Sequence, residues 1–325
     1  MIAMPVGRRA DVLQNELQVE EHAQWESMQI KKLLIRILGI TLGLIYAFFL
    51  FHGLRLLLIP AVLSFAGGDG RWAFALSIYL TNALTLLFCN GFFLCLYVWQ
   101  LPAVESRRVL RRPWPWQTPA LASSFWALVR ESILLSVVNT TLVALPLSYM
   151  AAPLSLSQNP RLFDPAAAPA FFPSVVGSLL FCAAVDDCVF YFFHRGFHHP
   201  ALYWLHKPHH KWTHTVSIAV LHLHPVEFVL ANVLPNALGP SLLKLHMAVV
   251  LLWYHVRLVQ TIEAHSNYAF DLSPFVCLGV NGAGAAHEMH HSENVGNFGS
   301  FTALWDHAFG TAIYGRRGDD FEKVD

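Results

Sequence analysis

Charge is scarce in this sequence. Only 13% of its 325 residues are Asp, Glu, Lys or Arg, about half the share of an ordinary soluble domain. Apolar residues reach 55% and mean hydropathy is +0.45, so the chain lacks the polar surface to coat a globule in water. It takes lipid as its solvent. Net charge is zero and no basic run alternates with aromatics, which excludes the electrostatic footprint of a nucleic-acid binder. Cysteine is also sparse: Cys89, Cys95, Cys182, Cys188 and Cys277 form no CxxC, and four lie in strongly apolar stretches. They read as small buried hydrophobes, not as a disulfide framework or a zinc knuckle. The first 32 residues are polar and charged, without the apolar core of a cleaved leader. Internal repeats and low-complexity segments are absent as well.

What the sequence has is apolar length. A membrane span needs about 20 apolar residues at about 1.5 Å of rise each. Four stretches qualify: Ile37 to Phe65, with Arg55 snorkelling near its far end, Ala73 to Trp99, Ser132 to Ala152, and Phe172 to Phe193. All are expected to be helices, because an isolated strand leaves its backbone unsatisfied in lipid. Arg8, Arg9, Lys31, Lys32 and Arg36 precede the first span; Arg107, Arg108, Arg111 and Arg112 follow the second. Two passes return the chain to its starting side, so both clusters share one face, which the positive-inside rule makes cytoplasmic. The Pro- and Ser-rich loop from Pro153 to Ala170 falls on the other face, and the chain re-emerges at His194. A further apolar stretch, Val226 to Val256, is interrupted by Pro235, Gly239, Pro240 and Lys244 and reads as a re-entrant, membrane-hugging element, with a further hairpin in the bilayer as the alternative.

The sequence also has histidine. Fifteen of its eighteen histidines fall between His194 and His291. Three groups stand out: His194-Arg-Gly-Phe-His198-His199, His206-Lys-Pro-His209-His210 and His287-Glu-Met-His290-His291. Residues three and four apart share a helix face, so each group is expected to aim two or three imidazoles at one point. His224 and His265 lie between the second and third groups. Neutral imidazole is the commonest protein metal ligand. The ten candidates His194, His198, His206, His209, His210, His224, His265, His287, His290 and His291 are too many for one ion, and five each for two ions leaves an open position. Imidazole alone suits iron, copper or zinc. His22, His52, His246, His307, His214 and His255 take the ordinary structural reading. Asp186 and Asp187 sit near the end of the fourth span, where a carboxylate in lipid is costly. Asp187, two turns before His194, is a candidate to orient a ligand, as is Glu288; pairing with a nearby base explains such a carboxylate equally well. Glu227 and Glu263 are ambiguous.

These residues resemble a family. Asp186-Asp187-(three)-Tyr191-(two)-His194-Arg195 and His206-Lys207-(one)-His209-His210 resemble the fatty acid hydroxylase superfamily, also called the sterol desaturase family. His224-Pro225-Val-Glu227, Arg257-Leu-Val-Gln-Thr-Ile-Glu-Ala-His265-Ser266-Asn-Tyr268, Gly296-Asn297-Phe298 and Trp305-Asp306-(two)-Phe309-Gly310-Thr311 look most like its C-4 methylsterol oxidase branch. The likeness runs from about residue 180 to 315. It implies a non-haem di-iron oxygenase of the endoplasmic reticulum that attacks unactivated C–H bonds of sterols or long lipids. Dioxygen is the co-substrate, and electrons come from NAD(P)H through cytochrome b5 and its reductase. The ten candidate histidines fall on the family's histidine positions, and His199 is a neighbouring substitute. Departures from the sterol branch are Ala286 in place of a doubled histidine, Asn267 in place of Gly, and Leu-His-Leu-His in place of Tyr-Ala-His.

The expected fold is therefore all-α: a polytopic membrane protein with about four transmembrane helices and a cytosolic, helical, histidine-rich di-metal domain. Residues 1–32 form a cytosolic segment, 33–193 the transmembrane region and 194–325 the catalytic domain. The same metal pair serves a desaturase, and a histidine-rich metal transporter is the non-enzymatic alternative; its ligands belong near the midplane of the spans. The tail reads Phe-Glu-Lys-Val-Asp, with neither KDEL nor a clear dilysine signal. Residence in the endoplasmic reticulum thus rests on the resemblance, with a bacterial inner membrane as the alternative.

Overall fold

The computed structural model describes residues 6–277 and 284–313, with side chains from Trp25 onward except Glu26. The side chains of Arg8, Arg9 and His22 and the whole tail 314–325 lie outside this description. Every regular element among the described residues is helical; an isolated antiparallel bridge joins Arg108 to Tyr268.

Five helical stretches are long and apolar enough to cross a membrane, one more than the sequence suggests: Ser27–Phe65, Gly70–Trp99, Pro119–Gln158, Phe171–Phe197 and Pro225–Leu243. Four of them contain the expected spans. The first grows out of one continuous helix, Val6–Gly53, so the polar leading segment is helical too. The spans turn large apolar side chains outward, with Leu57 and Met150 each 72% exposed. Such surfaces are stable against hydrocarbon and unfavourable against water.

Prolines interrupt these spans without ending them. A wide π turn at Leu54–Leu58 precedes Pro60, another at Val138–Ala144 precedes Pro146, and a third at Phe228–Val233 precedes Pro235. A proline ring displaces the carbonyl four residues earlier and offers no N–H. Widening the preceding turn accommodates both while the backbone stays satisfied in lipid.

Of the two readings of the stretch after Val226, the structure has the alternative, a hairpin that runs the depth of the bundle, and not the re-entrant element. The fifth span runs to Leu243, Lys244 adopts a left-handed backbone (φ 50°), and an inner helix, Met247–Ala264, returns. The hairpin tip meets the loop between the third and fourth spans: Asn159 donates to the Lys244 carbonyl (3.0 Å), Met247 N–H to Leu162 O (3.0 Å), and His246 Nε2 lies 3.0 Å from Asp164 O. Pro235 and Pro240 are absorbed within the helix. The inner helix buries Met247 to Leu252 completely or nearly so and packs them on Phe51, Ile59, Phe74 and Val175. This core fixes the far end of the bundle.

Gly239 is where the fifth span touches the fourth. A Cβ there would lie 2.9 Å from the Cys182 Cα, the close approach that small residues permit between membrane helices. Gly239→Val is expected to destabilise the fold by about 1–3 kcal/mol, read as a lower unfolding temperature in detergent; an unchanged temperature would refute this packing.

At the other end, the segment joining the second and third spans folds back over the bundle. Glu105 accepts from Tyr268 Oη (2.6 Å) and Trp114 Nε1 (3.2 Å), and the Arg108 guanidinium sits 3.9 Å above the Trp114 ring. Asn267, with φ 60°, bonds both the N–H and the carbonyl of Leu110. A left-handed position favours Gly or Asn, which accounts for Asn where the sterol branch has Gly. The Arg107–Arg112 stretch and the His265 segment therefore share one end of the bundle.

Candidate metal centre

Nine of the ten candidate histidines converge at that end. They form two groups, within each of which the ligand atoms lie within 4.8 Å of one another: His194, His198, His206, His210 and His290 in one, and His209, His265, His287 and His291 in the other. The groups adjoin, with the His210 and His291 ring centroids 4.9 Å apart.

Helical spacing sorts the ligands in a way the sequence reading did not anticipate. Each box keeps two imidazoles together, and the second and third boxes send their remaining ring to the neighbouring group. His206 and His210, four apart, enter one group while His209 enters the other; His287 and His291 enter the second group while His290 enters the first. The pair at i and i+4 stays on one face, and the residue at i+3 is rotated away. His194 and His198 obey the same rule at the end of the fourth span. The division is five and four, not five and five.

His224 is not brought into either group. Its Nδ1 accepts from Val226 N–H (3.2 Å) at the start of the fifth span, and its ring lies against Trp204. His199 is exposed and its Nδ1 accepts from Ala201 N–H. His255 bridges Tyr46 Oη and Thr85 Oγ1 at 2.7 Å each, and His222 meets Ser132 Oγ at 2.7 Å; these are structural histidines.

The orientation of the ligand rings comes from their Nδ1 atoms. Those of His194, His265, His290 and His291 reach the backbone carbonyls of Phe298 (2.9 Å), Thr261 (2.8 Å), Gly296 (2.6 Å) and Trp212 (2.9 Å). His206 Nδ1 reaches Glu227 Oε1 at 2.5 Å. A neutral imidazole donating from Nδ1 carries its lone pair on Nε2, the form that binds metals. Burial pushes every ring in this set that lies beyond the fourth span below its ordinary pKa, reinforced by neighbouring histidines: His198 falls to about 2, His210 to about 3 and His265 to about 4. All are neutral at physiological pH.

The Nε2 atoms then crowd together. His206 and His210 approach to 2.9 Å, His265 and His287 to 2.9 Å, and His287 and His291 to 3.2 Å, while buried Nε2 atoms of His198 and His290 have no hydrogen-bond partner. Converging lone pairs in a desolvated site repel one another and leave acceptors unsatisfied. A cation in each group removes both penalties. The donor set fits a pair of transition-metal ions.

The candidate carboxylates work at one remove. Asp187 touches no histidine: it accepts the N–H groups of Ser300 (3.3 Å), Phe301 (2.7 Å) and Thr302 (3.0 Å), and the Thr302 hydroxyl (2.5 Å). Asp306 accepts the N–H groups of Phe298 and Gly299, both at 2.8 Å. Together they pin the loop whose Phe298 carbonyl holds His194. Glu288 accepts Thr215 N–H (3.3 Å) and the Thr215 hydroxyl, bracing the turn that carries the Trp212 carbonyl; burial raises its carboxyl to about 7. Asp186 pairs with Arg257 (Nε to Oδ2, 2.9 Å). The carboxylate that does grip a candidate ligand is Glu227, and Glu227→Gln is expected to weaken metal binding by roughly 10–100-fold, measured by metal-buffer titration. Full affinity in that variant would remove Glu227 from the account.

A cavity of about 40 Å³ opens directly on the groups, lined by His194, His206, His209, His265 and His287 together with Phe190 and Glu227.

Comparison with known proteins shows what this end of the molecule resembles. A family model described as fatty acid hydroxylase matches residues 179–311. Methylsterol monooxygenase 1 of Danio rerio is 31% identical over 141 residues, 43% of this chain and 48% of that protein. The Rattus norvegicus protein of the same name is 33% identical over 133 residues, 41% and 45% respectively. Fatty acid hydroxylase domain-containing protein 2 of Macaca fascicularis is 30% identical over 140 residues, 43% and 39%. The chain thus spans about half the length, or less, of these relatives. No solved structure matches it. The stretch that gathers all nine imidazoles lies within residues 179–311, which match the fatty acid hydroxylase family model and resemble methylsterol monooxygenases.

Proposed function

We propose that this chain is a membrane-bound monooxygenase that hydroxylates a C-4 methylsterol-like sterol or another long-chain lipid. The observation that carries the proposal is the pair of adjoining imidazole groups, built at the end of apolar spans and opening on a cavity. His194, His198, His206, His210 and His290 hold one iron ion, and His209, His265, His287 and His291 the other. Zinc has no redox chemistry, and among the metals imidazole suits, iron accords with the monooxygenase names of the relatives. When bound, the iron pair supplies dioxygen activation. The balance is C–H plus O2, two electrons and two protons giving C–OH and water. The electrons come from NAD(P)H through a cytochrome b5-type donor.

The protein's own part is to hold the rings neutral and aimed, to keep bulk water out and to admit a lipid from the bilayer. Phe190 lines the cavity. The cluster Arg107, Arg108, Arg111 and Arg112 at the metal-bearing end supports a cytosolic orientation by the positive-inside rule. The endoplasmic reticulum is the corresponding membrane. Residues 194–325 serve as the catalytic region, and 33–193 together with the fifth span, Pro225–Leu243, as its anchor. A transporter would set its ligands amid the spans, and here only His194 belongs to one.

The test is product mass. Iron-loaded protein given dioxygen, NAD(P)H and a reductase system is expected to add one oxygen to a sterol or long-chain lipid. Loss of two hydrogens would make it a desaturase, and no lipid turnover would overturn the reading.

A further inference from the structure

A second cavity, of about 80 Å³, lies against the first on the membrane side. Its walls come from the second, third and fifth spans and the inner helix; Ile78, Leu86, Phe228 and Leu258 give most of them an apolar surface, with Asn82 and Ser148 among the polar exceptions. Asn232, Arg257 and Thr261 line both cavities, so they form the neck between a largely apolar chamber and the histidine groups.

The neck is unusual for its depth. Arg257 is only 3% exposed. Its Nε is taken by Asp186 and its Nη1 by Gln260 (2.9 Å) and Thr261; among the described residues no hydrogen bond engages Nη2. The Asn232 amide likewise has no hydrogen bond there, and the buried Asn236 Oδ1 in the same chamber has no partner. Polar groups in membrane segments are costly and mark ligand paths. Unused donors at the boundary of an apolar chamber call for a ligand that is apolar along its body and oxygenated at one end.

We propose that the two cavities form one channel for a hydroxylated sterol-like lipid. Arg257 and Asn232 hold the oxygenated end beside the metals, and the hydrocarbon body fills the chamber between the second, third and fifth spans. This rests on the oxygenase reading and adds what fixes the substrate's position. Arg257 and Asn232 are positioning residues.

The test uses the metal-loaded full chain in nanodiscs, with a 3-hydroxysterol carrying a diazirine on its side chain as photoprobe. Labelling is expected on peptides spanning 78–86, 140–145 or 228–236, with cholestanol competing and cholestane not. Asn232→Leu, whose side chain has no bond to lose, is expected to weaken cholestanol competition roughly tenfold. The paired change Asp186→Asn with Arg257→Gln removes both buried charges together and is expected to act in the same direction. Labels confined to other peptides, equal competition by cholestane, or competition by stearate in place of cholestanol would overturn the proposal. Metal content and lipid oxidation are measured on the same preparations. A metal-loaded protein that binds the probe as described yet oxidises no lipid would sink the oxygenase reading and leave the channel standing.

Discussion

His290→Ala is expected to bind one metal ion per chain in place of two and to oxidise no lipid above background. His290 belongs to the first group, and its Nδ1 is fixed by Gly296 O at 2.6 Å. His290 packs against His194, His198 and His210 with ring centroids 4.5, 4.8 and 4.8 Å away, so removing it opens the middle of the first group while the second keeps all its rings. His265→Ala is expected to do the converse, emptying the second group and sparing the first. His224→Ala provides the contrast. This histidine matches the family's pattern in sequence, yet it caps a helix beside Trp204, so the variant is expected to keep both ions. Elemental analysis on the three purified variants reads the result. Equal loss in all three would contradict the division into two groups, and so would no loss in any.

Asp187→Ala carries the second large effect. One carboxylate accepts three backbone N–H groups and a hydroxyl from residues 300–302. Its removal leaves those donors without partners, and buried donors without partners cost about 1–3 kcal/mol each in the worst case. The loop regains some of that by relaxing, so a loss of roughly 3 kcal/mol is expected. Metal binding suffers in step, because the loosened loop carries the Phe298 carbonyl that orients His194. Asp187→Asn keeps one acceptor oxygen and is expected to fall between. Denaturation midpoints and metal titrations on both variants test this. A stable Asp187→Ala protein with an intact first site would show that the loop holds itself.

Much of the centre was legible because side-chain spacing on helices is a sequence property. The histidines at i and i+4 announce a shared face, and the structure honours that at His194/His198, His206/His210 and His287/His291. The spacing left open whether two or three imidazoles of a box meet, and the residue at i+3 is rotated just far enough to serve the neighbouring group. The acceptors that orient the rings were not legible at all: the carbonyls of Phe298, Gly296 and Trp212 belong to the backbone and leave no residue-type signature. Asp187 and Glu288 were candidates for direct contact with a ligand, but they act through loops that only tertiary folding brings near. Glu227 left a faint signal, in His224-Pro-Val-Glu227, where the acid rather than the histidine reaches the site.

The fold divides similarly. Apolar length gave four spans nearly as they stand. The fifth was obscured because Pro235, Gly239 and Pro240 look like breaks. In the structure the first follows a widened turn, the second makes a helix contact, and the third is carried inside the helix. Its partner helix, Met247–Ala264, contains Arg257 and Glu263, which disguise a segment that is buried in protein instead of facing lipid.

X-ray absorption at the metal edge, with elemental analysis on the same purified full-length sample, addresses the central claim most directly. Two ions per chain, each in a shell of imidazole nitrogens, is the predicted result. Fewer than one ion per chain after reconstitution with iron, or a shell dominated by sulfur, would contradict it.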